Sequence, residues 1–243
     1  MTILYLVGLA AFVSTFLGGT FALRLRDKLH LILGFSAGAV VAIAFFDLLP
    51  ESLTLTHTAY SSHTVLSITA LGFMLYLAID RLFLLHGHTG EDHDAQHADH
   101  ARGTAGAGSL SFHSFLDGVG IGLAFQVSPV VGGVVTAAVL AHDFSDGINT
   151  VNFIVKNGGT KKEARKWLFI DALTPSVGIF FTTLFSVQEH TLGLLLALFG
   201  GFFLYIGASD LIPESYHAHP IRWTTYSTIL GMGILYIIIH LAG

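Results

Sequence analysis

The sequence predicts an all-α polytopic membrane protein of eight transmembrane helices arranged as inverted repeats. Three observations carry this reading: an apolar composition, basic residues confined to one set of helix ends, and two motifs that each occur twice. Of 243 residues, 53% are hydrophobic and only 11% are charged, against about 25% charged residues in a soluble globular chain. The mean hydropathy of +0.70 agrees. Too few charged side chains remain to cover a soluble surface of this size. The formal net charge of −5 therefore says little about soluble partners, and no basic patch suggests nucleic acid, which is not an expected partner. The chain contains no cysteine, so disulfides and thiolate metal ligands are both excluded.

A membrane-crossing helix needs roughly 20 mostly apolar residues. Eight stretches qualify, at approximately 2–23, 29–50, 64–85, 109–128, 130–155, 167–187, 191–212 and 223–242. The first lacks a basic leader and a small-residue cleavage site, and so reads as a span rather than a removed signal peptide. The 11 Lys and Arg set the orientation. Arg24, Arg26, Lys28, Arg81, Arg102, Lys156, Lys161, Lys162, Arg165, Lys166 and Arg222 all fall at one set of ends. The connections near 51–63, 126–132 and 188–190 hold none. An even number of spans then places both termini outside, in a plasma or inner membrane. The cluster from Lys156 to Lys166 reads as a topology anchor near anionic lipid.

His113-Ser114-Phe115-Leu116-Asp117-Gly118 and His142-Asp143-Phe144-Ser145-Asp146-Gly147 share the pattern H-x-F-x-D-G on spans four and five. Asp47-Leu48-Leu49-Pro50-Glu51-Ser52 recurs as Asp210-Leu211-Ile212-Pro213-Glu214-Ser215 on spans two and seven. Each pair runs in opposite directions through the bilayer, the pattern of inverted-topology repeats, whose interface holds the substrate in many secondary transporters.

Four-residue spacing puts His113 with Asp117, and His142 with Asp146, on one helix face each. Ser114 and Asp143 follow the two histidines on an adjacent face. An ionised carboxylate inside a bilayer needs a partner, a cation or a water-filled cavity. Two imidazoles and two or three carboxylates supply nitrogen and oxygen for a divalent metal, zinc and iron by the imidazoles, manganese by the carboxylates. The competing reading is a buried network in which these side chains satisfy one another. Gly118 and Gly147 are expected to let the two helix backbones approach closely.

Asp47, Glu51, Asp80, Asp171, Asp210 and Glu214 fall within or near spans and are candidate pathway residues; anchoring helix ends is the alternative. Pro50 and Pro213 read most simply as helix ends. The stretch near 86–108 is expected to be a flexible cytoplasmic loop. Its His86, His88, His93, His97 and His100 stand among Glu91, Asp92, Asp94 and Asp99, a composition that chelates metals.

On these residues the chain resembles the ZIP family of divalent-metal transporters, over nearly its whole length. The two H-x-F-x-D-G motifs carry most of the resemblance. It implies a two-metal site in which His113, Asp117, His142 and Asp146 bind one ion. Ser114 and Asp143 would join the shared carboxylates at a second position, and spans two and seven would line the route. Three departures stand out: Asp117 and Asp146 where the family often has Glu, Leu116 and Ser145 where it often has Pro, and Thr174-Pro175 where many members have a carboxylate before the proline.

The expected function is transport of a divalent transition metal, zinc first and iron or manganese next, toward the cytoplasm. No phosphate-binding G-x-x-x-x-G-K-[ST] loop is present, so the expected process runs without ATP. The metal is substrate and no resident cofactor is expected. The expected partners are metal ions and membrane lipids, with a homodimer left open. The alternative is a membrane-embedded metal-dependent hydrolase, in which His113, His142 and an aspartate hold an activating ion and Ser114 stands nearby. A metal exporter with H-x-x-x-D helices is a third reading, set against by the absence of a soluble domain after the last span.

Overall fold

A computed structural model describes residues 2–21, 29–86, 95–217 and 222–242. Every regular element among these residues is helical. The first span is α1 (Thr2–Phe21). The second is one continuous rod: α2 (Leu29–Ile43), a π-helical turn at Ala44–Leu48, and α3 (Leu49–Thr56). Next come α4 (Ser62–His86), α5 (Ala95–Val127), α6 (Pro129–Lys156) and α7 (Lys161–Thr182). The seventh span repeats the build of the second, with α8 (Glu189–Tyr205), a π-helical turn at Ile206–Leu211 and α9 (Ile212–His217). The last is α10 (Arg222–Ala242).

Among the described residues, five helices are long and apolar enough to cross a membrane: α1, the α2–α3 rod, α4, α8 with its π turn, and α10. The remaining three are less apolar for visible reasons. Helices α5 and α6 carry the His and Asp motifs, and α7 opens on Lys161, Lys162, Arg165 and Lys166. Large apolar side chains such as Leu6, Leu9, Met74, Ile229 and Leu230 lie exposed, as a lipid-facing surface requires. Trp223 and Tyr226 pack edge to face in the first turn of α10, an amphipathic pair suited to a membrane–water boundary. The chain is a multi-pass membrane protein.

Pro50 does not end its helix. A proline cannot donate to the carbonyl four residues back, and here the backbone widens into the π turn just before it and then continues to Thr56. Pro213 follows the second π turn in the same way. The two π turns therefore coincide with the two copies of the D-L-[LI]-P-E-S motif.

The chain divides into two compact units, and the division passes through continuous helices. The first comprises Met1–Arg26, Ala78–Val119 and Asp143–Phe181. Within it α1 crosses α6 where Gly18 meets Phe144 and Gly19 meets Gly147, and α5 crosses α7 where Gly118 meets Gly178. A Cβ on Gly147 would lie 1.9 Å from the Thr15 carbonyl oxygen, and one on Gly118 would lie 2.1 Å from that of Pro175. These glycines thus do not bring the two motif helices onto each other, as their sequence positions suggested. Each lets its own helix close on a different neighbour, α1 or α7.

The second unit comprises Asp27–Leu77, Gly120–His142 and Thr182–Gly243. Its helices repeat the device: Gly38 and Gly231 join α2 to α10, and Gly72 and Gly201 join α4 to α8. Gly38 precedes Asp47 by the same interval that separates Gly201 from Asp210. The repeat read from the acidic motifs therefore extends to the packing positions about two and a half turns before them.

A side chain at Gly118 or Gly147 would meet backbone rather than a movable side chain, so Gly118→Ala and Gly147→Ala are each expected to destabilise the protein by about 1–3 kcal/mol or more. Gly133, on α6 with nothing within 4 Å of an added Cβ, is the control. Gly133→Ala should be neutral or stabilising by up to about 1 kcal/mol. Thermal unfolding in detergent reads both.

The stretch expected as a loop near 86–108 is helical from Ala95 onward. Its small residues have a packing role. A Cβ on Gly106 would lie 2.8 Å from the Phe153 ring, and Ala107 is buried with Ile154 and Ala164 under Val151 and Trp167. Glycine and alanine here let α5 lie against α6 and α7, which composition alone made look like a linker.

Candidate metal centre

The continuous helices α5 and α6 each present one H-x-x-x-D pair. His113, Asp117, His142 and Asp146 are respectively 4%, 1%, 0% and 2% exposed. One ligand atom from each lies within 4.8 Å of the others. His113 Nε2 is 3.0 Å from Asp117 Oδ2 and 3.5 Å from Asp146 Oδ2. A tetrahedral ion with bonds of about 2.0–2.1 Å holds its ligand atoms roughly 3.3–3.4 Å apart. The His113 separations already stand near that value, so a small inward movement of the rest closes a shell.

The tautomer of His142 follows from its neighbour. Its Nδ1 lies 3.0 Å from the Ala138 carbonyl oxygen, which only accepts, so in the neutral ring Nδ1 carries the hydrogen and Nε2 bears the lone pair. This is how ligating imidazoles are usually held. Two buried carboxylates and two imidazoles, with no Lys or Arg in the group, form a site that a cation stabilises strongly.

The residues assigned to a second ion position are arranged differently from one another. Ser114 donates to Asp171 Oδ1 at 2.8 Å, and Thr150 donates to Asp171 Oδ2 at 2.7 Å. Both carboxylate oxygens of the fully buried Asp171 are thus held by hydroxyls. Its own carbonyl, which Pro175 cannot bond, accepts from Thr174 Oγ1 at 2.8 Å. Asp143 is equally buried, yet neither of its carboxylate oxygens has a hydrogen-bond partner. Thr150 was not among the residues singled out from the sequence. Its signal was there: it follows Asp146 by four residues, extending the face that starts at His142.

The remaining candidates are dispersed. Asp47 stands in the first π turn and Glu51 one turn later on α3, both half-buried, and Asp47 Oδ2 is buried with no hydrogen-bond partner. Asp80 is half-buried on α4. Asp210 lies in the second π turn and Glu214 on α9, with their side chains outside the described residues. His86 closes α4, and His97 and His100 stand in the first turns of α5. His88 and His93 lie outside the described residues, as do the side chains of all five loop histidines.

Comparison with known proteins adds an independent line. The family model described as ZIP zinc transporter matches residues 107–239, more than half of the chain. The chain is 29% identical over 104 residues to the rat protein named metal cation symporter ZIP8, covering 43% of this chain and 22% of that one. It is 31% identical over 106 residues to bovine metal cation symporter ZIP14, covering 44% and 21%. It is 26% identical over 142 residues to human zinc transporter ZIP10, covering 54% and 17%. The match thus spans about a fifth of the length of these relatives.

Proposed function

Because the chain belongs to the ZIP family, we propose that it carries a divalent transition metal ion across the membrane toward the cytoplasm, zinc first and iron or manganese next. The observation that carries this reading is the buried group of His113, Asp117, His142 and Asp146, whose burial leaves two carboxylates in need of a cation. His113 Nε2 lies 3.0 Å from Asp117 Oδ2, and metal binding there requires that nitrogen to carry no hydrogen. His142, with its hydrogen on Nδ1, needs no proton removed from Nε2. The ion then neutralises Asp117 and Asp146 together, which lowers the cost of holding them away from water.

The family's members are transporters, which weighs against the hydrolase reading. A hydrolase also needs a water-bearing open position beside its ion, and Ser114, the nearest nucleophile by sequence, is engaged with Asp171. Uptake of zinc, iron and manganese into proteoliposomes, with hydrolase substrates assayed in parallel, tests the proposal. Substrate turnover without metal flux would overturn it.

The orientation is part of the same proposal. It is supported by Arg81 near the end of α4, the basic residues from Lys161 to Lys166 at the start of α7 and Arg222 at the start of α10, since Lys and Arg concentrate on the cytoplasmic side. Both termini then lie outside, and the histidine-rich stretch near 86–108 lies inside as a regulatory chelator. Single cysteines introduced into this cysteine-free chain read the topology. An impermeant thiol reagent applied to intact cells should label Thr58→Cys and spare Ala95→Cys; the reverse pattern would invert the arrangement.

A further inference from the structure

The outer end of the second span carries two imidazoles that the central site does not use. Helix α3 ends at Thr56, and its last carbonyls lack the intrahelical donors that interior ones enjoy. The Thr56 oxygen accepts from the backbone N–H groups of Ala59 and Tyr60, at 2.9 Å each. The Thr54 oxygen lies 2.7 Å from His57 Nδ1, and the Leu55 oxygen lies 2.9 Å from His190 Nδ1. Two histidines from different spans are therefore anchored on consecutive carbonyls of one helix end, a rise of about 1.5 Å apart along its axis.

Their tautomers follow from chemistry. A carbonyl oxygen only accepts, so Nδ1 of each neutral ring carries the hydrogen and Nε2 of each bears an available lone pair. Both residues are exposed, and neither Nε2 has a partner among the described residues. A ring fixed through Nδ1–H to a carbonyl, with Nε2 directed elsewhere, is the usual presentation of a metal-ligating histidine.

The platform beneath them is rigid. A Cβ on Gly193, three residues after His190, would lie 2.6 Å from Thr56 Cγ2 and 3.0 Å from Leu55 Cβ, so the first turn of α8 lies directly on the last turn of α3. Ser52 and Thr56 are fully buried, and Thr56 Oγ1 donates to the Ser52 oxygen at 2.7 Å. Inward along the same rod, Glu51 and Asp47 precede Leu55 at four-residue steps, and Asp47 Oδ2 is buried without a hydrogen-bond partner.

We propose that His57 and His190 form a second metal site, a surface capture point for a divalent transition metal that borderline-soft imidazole ligands favour over calcium or magnesium. Glu51 and Asp47 receive the ion from it. The site holds two protein ligands and completes its shell with water, so it binds weakly and exchanges quickly, as an entry point must. Its role in entry rests on the transport reading and on the orientation above; its ability to bind metal does not.

The test separates the two. In a background with His113→Ala, Asp146→Ala and the five histidines of 86–100 replaced by Ala, isothermal titration with zinc should still find a site. That site should vanish in His57→Gln with His190→Gln, because glutamine keeps an N–H donor for the carbonyls and offers no imidazole nitrogen. Thermal unfolding of each variant confirms that the fold persists. If the glutamine pair melts early, the single variants, each expected to weaken this site, give the same reading. In the otherwise unaltered protein the glutamine pair should raise the apparent KM for zinc flux by roughly tenfold, the scale of losing a supporting interaction at a metal site, with maximal flux retained. Zinc binding that is absent from the background protein, or unchanged by the glutamine pair, would overturn the site. Binding that is lost while flux kinetics stay unchanged would remove its part in entry.

Discussion

His113→Ala and Asp146→Ala should each abolish metal flux in proteoliposomes while leaving a folded membrane protein. The two residues stand on different helices, yet His113 Nε2 lies 3.5 Å from Asp146 Oδ2, so either change opens one side of the same small shell. Loss of a supporting residue around a metal site typically costs 10–100-fold in affinity, and loss of a ligand itself should exceed about 100-fold. The fold should tolerate both changes. Each removes one buried side chain of the cluster, in which His113 Nε2 lies 3.0 Å from Asp117 Oδ2 and 3.5 Å from Asp146 Oδ2. Titration of zinc, iron and manganese against both variants, paired with flux, reads the effect. If both bind and carry metal as the unaltered protein does, the central assignment to α5 and α6 is wrong. A parallel loss is expected for His142→Ala, since α5 and α6 contribute matched pairs.

The parts of this arrangement that were legible in the sequence are those written in local spacing. Composition showed the membrane fold. The four-residue interval in His113–Asp117 and His142–Asp146 showed two His/Asp pairs, because a helix turns that interval into one face regardless of what surrounds it. What the sequence did not show depends on which helix meets which. Gly118 and Gly147 signalled close approach, but a glycine does not name its neighbour, and the neighbours are Pro175 and Thr15. Nothing in the motif around Ser114 points to Asp171, the carboxylate 57 positions later to which its hydroxyl donates. The helical start of α5 at Ala95 was hidden because glycine and alanine are common both in linkers and where helices pack tightly. Pro50 was read as an end because proline usually is one, and the π turn ahead of it accommodates the missing donor instead.

Two buried aspartates beside the centre should respond to truncation with opposite signs, and the contrast separates structural from ion-binding roles. Asp171 accepts from Ser114 and Thr150. Asp171→Ala leaves two buried hydroxyls without their acceptor, each costing about 1–3 kcal/mol, and adds a small cavity. A clear fall in the thermal midpoint of the metal-free protein is expected, with Asp171→Asn intermediate because its amide oxygen still accepts one hydroxyl. Asp143 has the same burial and no hydrogen bond to lose. Removing an unpartnered carboxylate relieves a desolvation penalty of several kcal/mol if it is ionised and about 1–3 kcal/mol if it is not. That relief exceeds or offsets the cavity left by so short a side chain, so Asp143→Ala should hold or raise the midpoint without metal. Nature retains a costly carboxylate where function uses it, and an ion at a position shared by Asp143, Asp117 and Asp146 would offset the penalty. Zinc should therefore raise the midpoint of the unaltered protein more than that of Asp143→Ala, with flux reduced less than in His113→Ala. If Asp143→Ala melts as early as Asp171→Ala in the absence of metal, Asp143 is a structural residue and the second position loses its main ligand.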